Sequence, residues 1–229
     1  MKIINGKRKE LEIKAAQLIA KKINSLLKIQ ERVVLAIPGG RSIIGVLNIL
    51  KNENIKWDKV HIFMIDDTIG NDPGKNFKQA YDIFLEYLTK QKLLLSNNMH
   101  PYIYFNLPMN KGLEAYKNEL KLISDCYDII LLSSGEDGHV GSLFPNSSVK
   151  DPSEFFVNVK ESPKLPSDRI SASRRLLQKS KCGLLLFFGE EKREAYENFM
   201  NNKLIIADCP AKLINSIEDS YVFTDVKNL

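Results

Sequence analysis

Cysteine is scarce: the 229 residues include only Cys126, Cys182 and Cys209. They are far apart, odd in number and without metal-ligand spacing. That argues against a disulfide framework and for a reducing compartment, the cytoplasm. No apolar stretch approaches the length of a membrane span. The opening "MKIINGKRKELEIKAAQLIAKKINSLL" is charged and helically patterned, with no uninterrupted apolar core or small-residue cleavage site, so it does not read as a secretory signal. Internal repeats and low-complexity linkers are missing. So are the two common nucleotide signatures, G-x-x-x-x-G-K-[ST] and G-x-G-x-x-G. A concentrated basic stripe is missing too. The net charge is +5, but lysine is scattered from Lys2 to Lys227, and the tightest cluster, "KRK" at 7–9, is followed by Glu10 and Glu12. The excess reads as solvated surface that helps to attract a small anion, not as a nucleic-acid footprint. Neither nucleic acid nor a membrane is expected as a partner.

What is present is ordinary for a globular protein: 44% hydrophobic and 27% charged residues. We read residues 1–229 as a single α/β domain. Leu11, Ala15, Leu18, Ile19, Ile23, Leu26 and Leu27 recur at helical spacing. Short apolar runs then alternate with helical patterns. Strands are expected at 32–38, 59–66, 103–107, 127–134, "EFFVNVK", "DRISAS", "CGLLLFFG" and "SYVFTD". Helices are expected at "RSIIGVLNIL", 76–90, 112–123, "SRRLLQKS" and "EEKREAYENFM", with a last short one starting at "DCPAKLIN". Several strands are continuously apolar, which predicts a mainly parallel, twisted sheet covered by helices on both faces. In such folds ligands bind beyond the carboxyl ends of the strands.

Three glycine-bearing turns sit at those ends. "AIPGGRS" puts Gly39 and Gly40 between strand and helix, with Arg41 and Ser42 as donors suited to phosphate or to a plain tight turn. "SSGEDGHVGSLFP" places Gly135, Gly138 and Gly141 around Glu136, Asp137 and His139. Three glycines in seven residues are entropically costly; the segment reads either as a bland loop or as a backbone that approaches a ligand while presenting an imidazole and a carboxylate for proton transfer. "FFGEEKREAY" puts Lys192 at a helix start, where a cation opposes the dipole unless an anion is bound. "FMIDDTIGND" ends a strand with Asp66 and Asp67; by alternation one at most faces a given site, and the pair also suits turn and cap chemistry before "NDPG". "ESPKLPSDRISAS" carries Lys164, Arg169 and Ser171. His61 and His100 lack any such setting and read as structural.

Taken together, four stretches resemble the 6-phosphogluconolactonases. "SSGEDGHVGSLFPNS" is similar to their G-x-x-D-G-H-x-x-S-L-F-P segment, "AIPGGRS" to their S-G-G-R-S turn, "ESPKLPSDRIS" to S-P-K-P-P-x-R-I-T, and "LFFGEEKREAY" to their T-G-x-x-K helix start. The likeness spans roughly residues 10 to 225 in matching order. It implies a three-layer α/β/α, Rossmann-like fold shared with glucosamine-6-phosphate deaminase. It also implies hydrolysis of a small sugar-phosphate lactone, 6-phospho-D-glucono-1,5-lactone, with no cofactor and no metal. His139 matches the catalytic histidine and Asp137 its companion acid. Gly39, Gly40, Arg41 and Ser42 match the glycine turn. Arg169 and Lys192 match positions expected to hold phosphate, with Asp66 and Lys164 as further substrate-binding candidates. The family's usual D-E-R reads Asp66-Asp67-Thr68 here, so its arginine is missing, and Arg41 is the expected substitute. A deaminase-isomerase, or a non-catalytic sugar-phosphate-binding module, is the alternative; deaminases share D-G-H but run on towards "FNEP". A monomer or weak homo-oligomer is expected.

Overall fold

The computed structural model describes residues 1–70, 74–104 and 106–226. In chain order the elements are β1 (Lys2–Asn5), α1 (Arg8–Leu26), β2 (Val33–Ile37), α2 (Ile44–Leu50), β3 (Val60–Met64), β4 (Asp66–Thr68), α3 (Lys75–Ala80), α4 (Glu86–Lys90), β5 (Met99–His100), α5 (Met109–Lys121), β6 (Ile129–Ser133), β7 (Phe156–Val159), β8 (Arg169–Ala172), α6 (Arg174–Gln178), β9 (Cys182–Phe187), α7 (Arg193–Met200) and β10 (Asp219–Thr224). Seven strands form a parallel sheet in the order β1-β10-β9-β6-β2-β3-β5. Strands β4, β8 and β7 form a small antiparallel sheet.

The continuous apolar runs follow from burial on both faces. Leu35, Ile37, Ile129, Leu131, Leu184 and Leu186 pack into one core with Leu11 and Ile19 of α1 and Leu47 of α2. Their strand neighbours Ala36, Ile130, Leu132, Leu185 and Phe187 pack into the other, with Tyr116 of α5 and Phe199 of α7. Successive side chains of a strand point to opposite faces, so the central strands of a sheet covered twice are apolar on both. The expected three-layer α/β/α arrangement is the one observed.

Four differences from the sequence reading have physical causes. Lys2–Asn5 pair with β10 as an edge strand; two apolar residues are too few to signal it locally, and tertiary pairing decides. The run at 59–66 divides, because Ile65 bonds to both sheets: its N–H donates to Ile37 (2.8 Å) and its carbonyl accepts from Ala172 (2.7 Å). Asp66 is thereby carried out of the main sheet to a position over its carboxyl end. Ile103 and Tyr104 lie in no strand, and Phe105 falls outside the described residues, as do Asn71, Asp72 and Pro73 of the expected turn. The last helix is a 3₁₀ segment, Pro210–Ser216.

His61 and His100 sit at the β3–β5 edge of the main sheet, as a structural reading requires. His61 Nδ1 lies 3.0 Å from His100 Nε2, and His100 Nδ1 lies 2.6 Å from Glu119 Oε1. Burial, with His100 and Arg32 nearby, pushes the His61 imidazole from 6.5 down to about 4. The fold therefore favours neutral His61. Its contribution is present above pH 6.5 and lost as pH falls through about 4. His61→Asn should flatten that part of the pH–stability curve, which urea midpoints taken between those two pH values would reveal. An unchanged slope would assign the acid sensitivity elsewhere.

Candidate active site

The carboxyl ends of β2, β6 and β9 open into a cleft of about 410 Å³. Its walls include Gly39, Gly40, Arg41, Ser42, Asp66, His139, Lys164, Arg169 and Lys192. Every substrate-binding candidate read from the sequence is among them, and so is His139. Asp137 is the one candidate outside the lining, and it reaches the site through His139.

The loop after β6 is folded to aim the imidazole. Gly135 N–H donates to the His139 carbonyl (2.8 Å), which closes the segment into a tight turn, and Ser134 bridges to Val140. A Cβ on Gly135 would collide with the His139 ring, so glycine there makes room for the imidazole. Gly138 adopts φ +84°, a conformation that side-chain-bearing residues rarely take. Its carbonyl accepts from Ala211 N–H (2.9 Å), so the Pro210–Ser216 segment braces the loop from below. His139 Nδ1 is hydrogen-bonded to Asp137 Oδ1, and the His139 backbone N–H donates to the same oxygen at 3.2 Å. Phe144 packs on the ring at a centroid distance of 4.8 Å. Burial alone would raise the Asp137 carboxyl, but the bond from His139, its charge and that of Lys164 bring it down to about 2. Asp137 is thus an acceptor only, and it holds the imidazole with the proton on Nδ1 and the Nε2 lone pair available.

Asp66 and Asp67 take separate tasks, as alternation requires. Asp66 is buried and accepts from Ser142 Oγ at 2.7 Å, with Arg169 Nη1 at 3.8 Å. Burial pushes its carboxyl up, against the Ser142 bond and the Arg169 and His139 charges. Asp67 caps the start of α3: its carboxylate accepts from Thr68 N–H (2.7 Å), Asn76 N–H (2.8 Å) and Phe77 N–H (2.9 Å). Burial still raises it to about 6. Thr68, 2% exposed, accepts from Lys75 N–H at 3.1 Å and is not among the residues lining the cleft. An arginine at 68 would displace that cap before it could reach a ligand.

The cations gather from separate elements. Arg169 donates from Nε to Pro166 (3.0 Å) and from Nη2 to Lys164 (3.2 Å), which fastens the loop that carries Lys164. Burial pushes the Lys192 ammonium below its ordinary value; Lys164 and Arg41 act in the same direction, while Glu136 and Glu191 oppose them. Like charges brought together in a partly desolvated pocket are relieved by an anion. One donor is already committed: Gly40 N–H is bonded to Gln79 Oε1 at 2.7 Å.

Sequence reasoning missed Asn76, Phe188, Glu191 and Arg8, all of which line the cleft. Asn76 arrives because α3 docks on the glycine turn: its side chain occupies the space a Cβ on Gly39 would take, and its Nδ2 donates to the Asp66 carbonyl at 3.0 Å. The sequence carries no local signal of this contact, which depends on how α3 docks against Gly39. Among the described residues, no group of three or more His, Cys, Asp or Glu side chains could hold a metal ion, and no helix is long and apolar enough to cross a membrane.

An imidazole–carboxylate pair facing clustered cations, at the strand ends of a doubly wound sheet, has the chemistry to move a proton on a small anion. The family model for glucosamine-6-phosphate isomerases/6-phosphogluconolactonase matches residues 6–223, and the chain belongs to that family. The 6-phosphogluconolactonase of Borreliella burgdorferi is 31% identical over 196 residues, covering 84% of this chain and 83% of that relative. The enzyme of the same name from Thermotoga maritima is 29% identical, with 76% and 77% covered. The crystal structure of the Thermotoga maritima enzyme superposes with a TM-score of 0.84 at 22% identity, covering 97% of this chain and 98% of that one. A monomeric glucosamine-6-phosphate deaminase superposes with a TM-score of 0.78 at 22% identity, covering 98% and 97%. These structural likenesses establish the fold.

Proposed function

We propose that the protein hydrolyses 6-phospho-D-glucono-1,5-lactone to 6-phosphogluconate, a step of the oxidative pentose phosphate pathway. The observation that carries this reading is the His139–Asp137 pair directed into a cation-lined cleft. The curated relatives named 6-phosphogluconolactonase support it. So does the continuation "GSLFPNS" after Asp137-Gly138-His139, which departs from the "FNEP" of deaminases.

A lactone is an activated ester, so the demands on the site are modest. His139 Nε2 takes a proton from water as the oxygen attacks C1, and Asp137 stabilises the imidazolium that forms. The imidazolium then returns the proton to the ring oxygen as the C1–O bond breaks. The Gly40 N–H, bonded to Gln79, is unsuited to the oxyanion. Arg169 and His139 both act on the Asp66 charge, so the guanidinium adds to the positive field around the reacting end as well as to that around the phosphate. Arg169 and Lys192 hold the phosphate, with Arg41, Ser42 and Lys164 as further donors in the same cleft. Anchoring the phosphate holds C1 at the imidazole.

A charge-assisted contact is worth about 1.5–3 kcal/mol. Lys192→Ala or Arg41→Ala should therefore raise KM for the phosphorylated lactone roughly 10-fold or more, and unphosphorylated glucono-1,5-lactone should be handled about as before. Steady-state kinetics on the two lactones tests the assignment, and equal losses on both would remove these residues from phosphate recognition.

A further inference from the structure

We propose that Arg8, at the first position of α1, is an additional phosphate-recognising residue, held in place by Glu12 and by the missing side chain of Gly45. The proposal rests on the phosphate reading of the cleft.

By sequence Arg8 belongs to the "KRK" cluster that reads as solvated surface. The structure turns it inward. Its Nε donates to Glu12 Oε1 at 2.9 Å, its Nη2 approaches the Arg41 carbonyl at 3.5 Å, and its guanidinium carbon lies 5.5 Å from the centre of the Phe188 ring. Phe188 is itself 1% exposed and precedes the Gly189 turn that leads to Lys192. Arg8 lines the cleft beside Arg41 and Lys192.

An arginine–glutamate pair four residues apart on an open helix does little, because both side chains remain mobile and hydrated. Here the Arg8 side chain is 41% exposed, but its partner is not open. The Glu12 side chain is 14% exposed, and its carboxylate occupies the space that a Cβ on Gly45 of α2 would fill. The guanidinium is therefore held by a seated carboxylate on one edge and by its position over the Phe188 ring. Guanidinium carries five N–H donors in a rigid fork. Glu12 and Arg41 engage two of them, which leaves donors on a side chain that borders the ligand space.

The surroundings of Arg8 are rich in positive charge that Glu12 and Glu10 only partly offset. Arg8 follows Lys7 and precedes Lys9 at the positive end of the α1 dipole, and Glu10 is the acidic residue of that turn. Arg41 opens the turn before α2, and Lys192 stands at the start of α7. Three chain segments thus bring a cation at a helix entrance to one cleft. A dianionic phosphate offsets all three, and Arg8 adds the planar, bidentate recognition that a lysine lacks.

The test is titration calorimetry of 6-phosphogluconate into wild-type protein, Arg8→Ala and Glu12→Gln, with thermal melts as a check on folding. Kinetics on the phosphorylated and unphosphorylated lactones run alongside. Arg8→Ala should raise Kd about 10-fold. It should also lower, by about the same factor, the ratio of kcat/KM on the phosphorylated lactone to that on glucono-1,5-lactone. Glu12→Gln should move both in the same direction by a smaller factor. A Kd within about 2-fold of wild type for a folded Arg8→Ala, or an unchanged ratio, overturns the proposal. If wild type binds 6-phosphogluconate in an Arg8-dependent way but leaves the lactone at its spontaneous rate, Arg8 stands and the lactonase reading falls. If wild type does not bind 6-phosphogluconate, both fall.

Discussion

Replacing His139 with alanine should lower kcat on 6-phospho-D-glucono-1,5-lactone by about 10²–10⁴, the range for a positioned acid–base group. The expectation rests on geometry. Asp137 occupies the Nδ1 side, so the proton-accepting Nε2 is the face left for water. Asp66, another carboxylate lining the cleft, is already engaged: it accepts from Ser142 Oγ and is faced by Arg169. The His139 side chain borders the cleft, so thermal melts of the variant run beside the kinetics to show that it is folded. A folded His139→Ala protein with wild-type turnover would remove the imidazole from the mechanism.

Gly135→Ala should cost almost as much, although it removes no functional group. The added Cβ would collide with Cε1, Nδ1 and Nε2 of the His139 ring, while the φ of Gly135 lies outside the region that excludes alanine. The backbone therefore tolerates the change and the ring must move. A displacement of about 1 Å at a reacting group can cost about 10² in rate, and overpacking of this kind destabilises by about 1–3 kcal/mol. Because both substitutions act on one imidazole, the double variant should be no slower than His139→Ala alone. Turnover of Gly135→Ala within about 3-fold of wild type would show that the ring has room the geometry denies it.

These two expectations mark where the sequence was legible. His139, Asp137 and their glycines lie within seven residues, so the pair is built by local chain geometry and its residue types announce it. Gly39, Gly40, Arg41, Ser42 and Lys192 were legible for a related reason: each sits where a strand run gives way to a helical pattern, and a parallel sheet brings such ends together. Asn76 and Arg8 were not legible, because their arrival depends on how α3 docks against Gly39 and on how α1 lies against Gly45 and Phe188. Pairwise tertiary packing of that kind leaves no periodic trace. The small sheet was hidden for another reason. β4 is three residues long and continues an apolar run, so nothing local shows that Ile65 carries the chain from one sheet to the other. Thr68 shows the limit of motif reading: it stands where the family has an arginine, yet its hydroxyl caps a helix.

The most direct test of the account is the rate of 6-phospho-D-glucono-1,5-lactone disappearance with purified protein, measured against the spontaneous rate, with glucosamine 6-phosphate under the same conditions as the control substrate. The account expects accelerated lactone hydrolysis that His139→Ala abolishes, and no ammonia released from glucosamine 6-phosphate. Lactone decaying at its spontaneous rate, or ammonia released from the amino sugar, would contradict it.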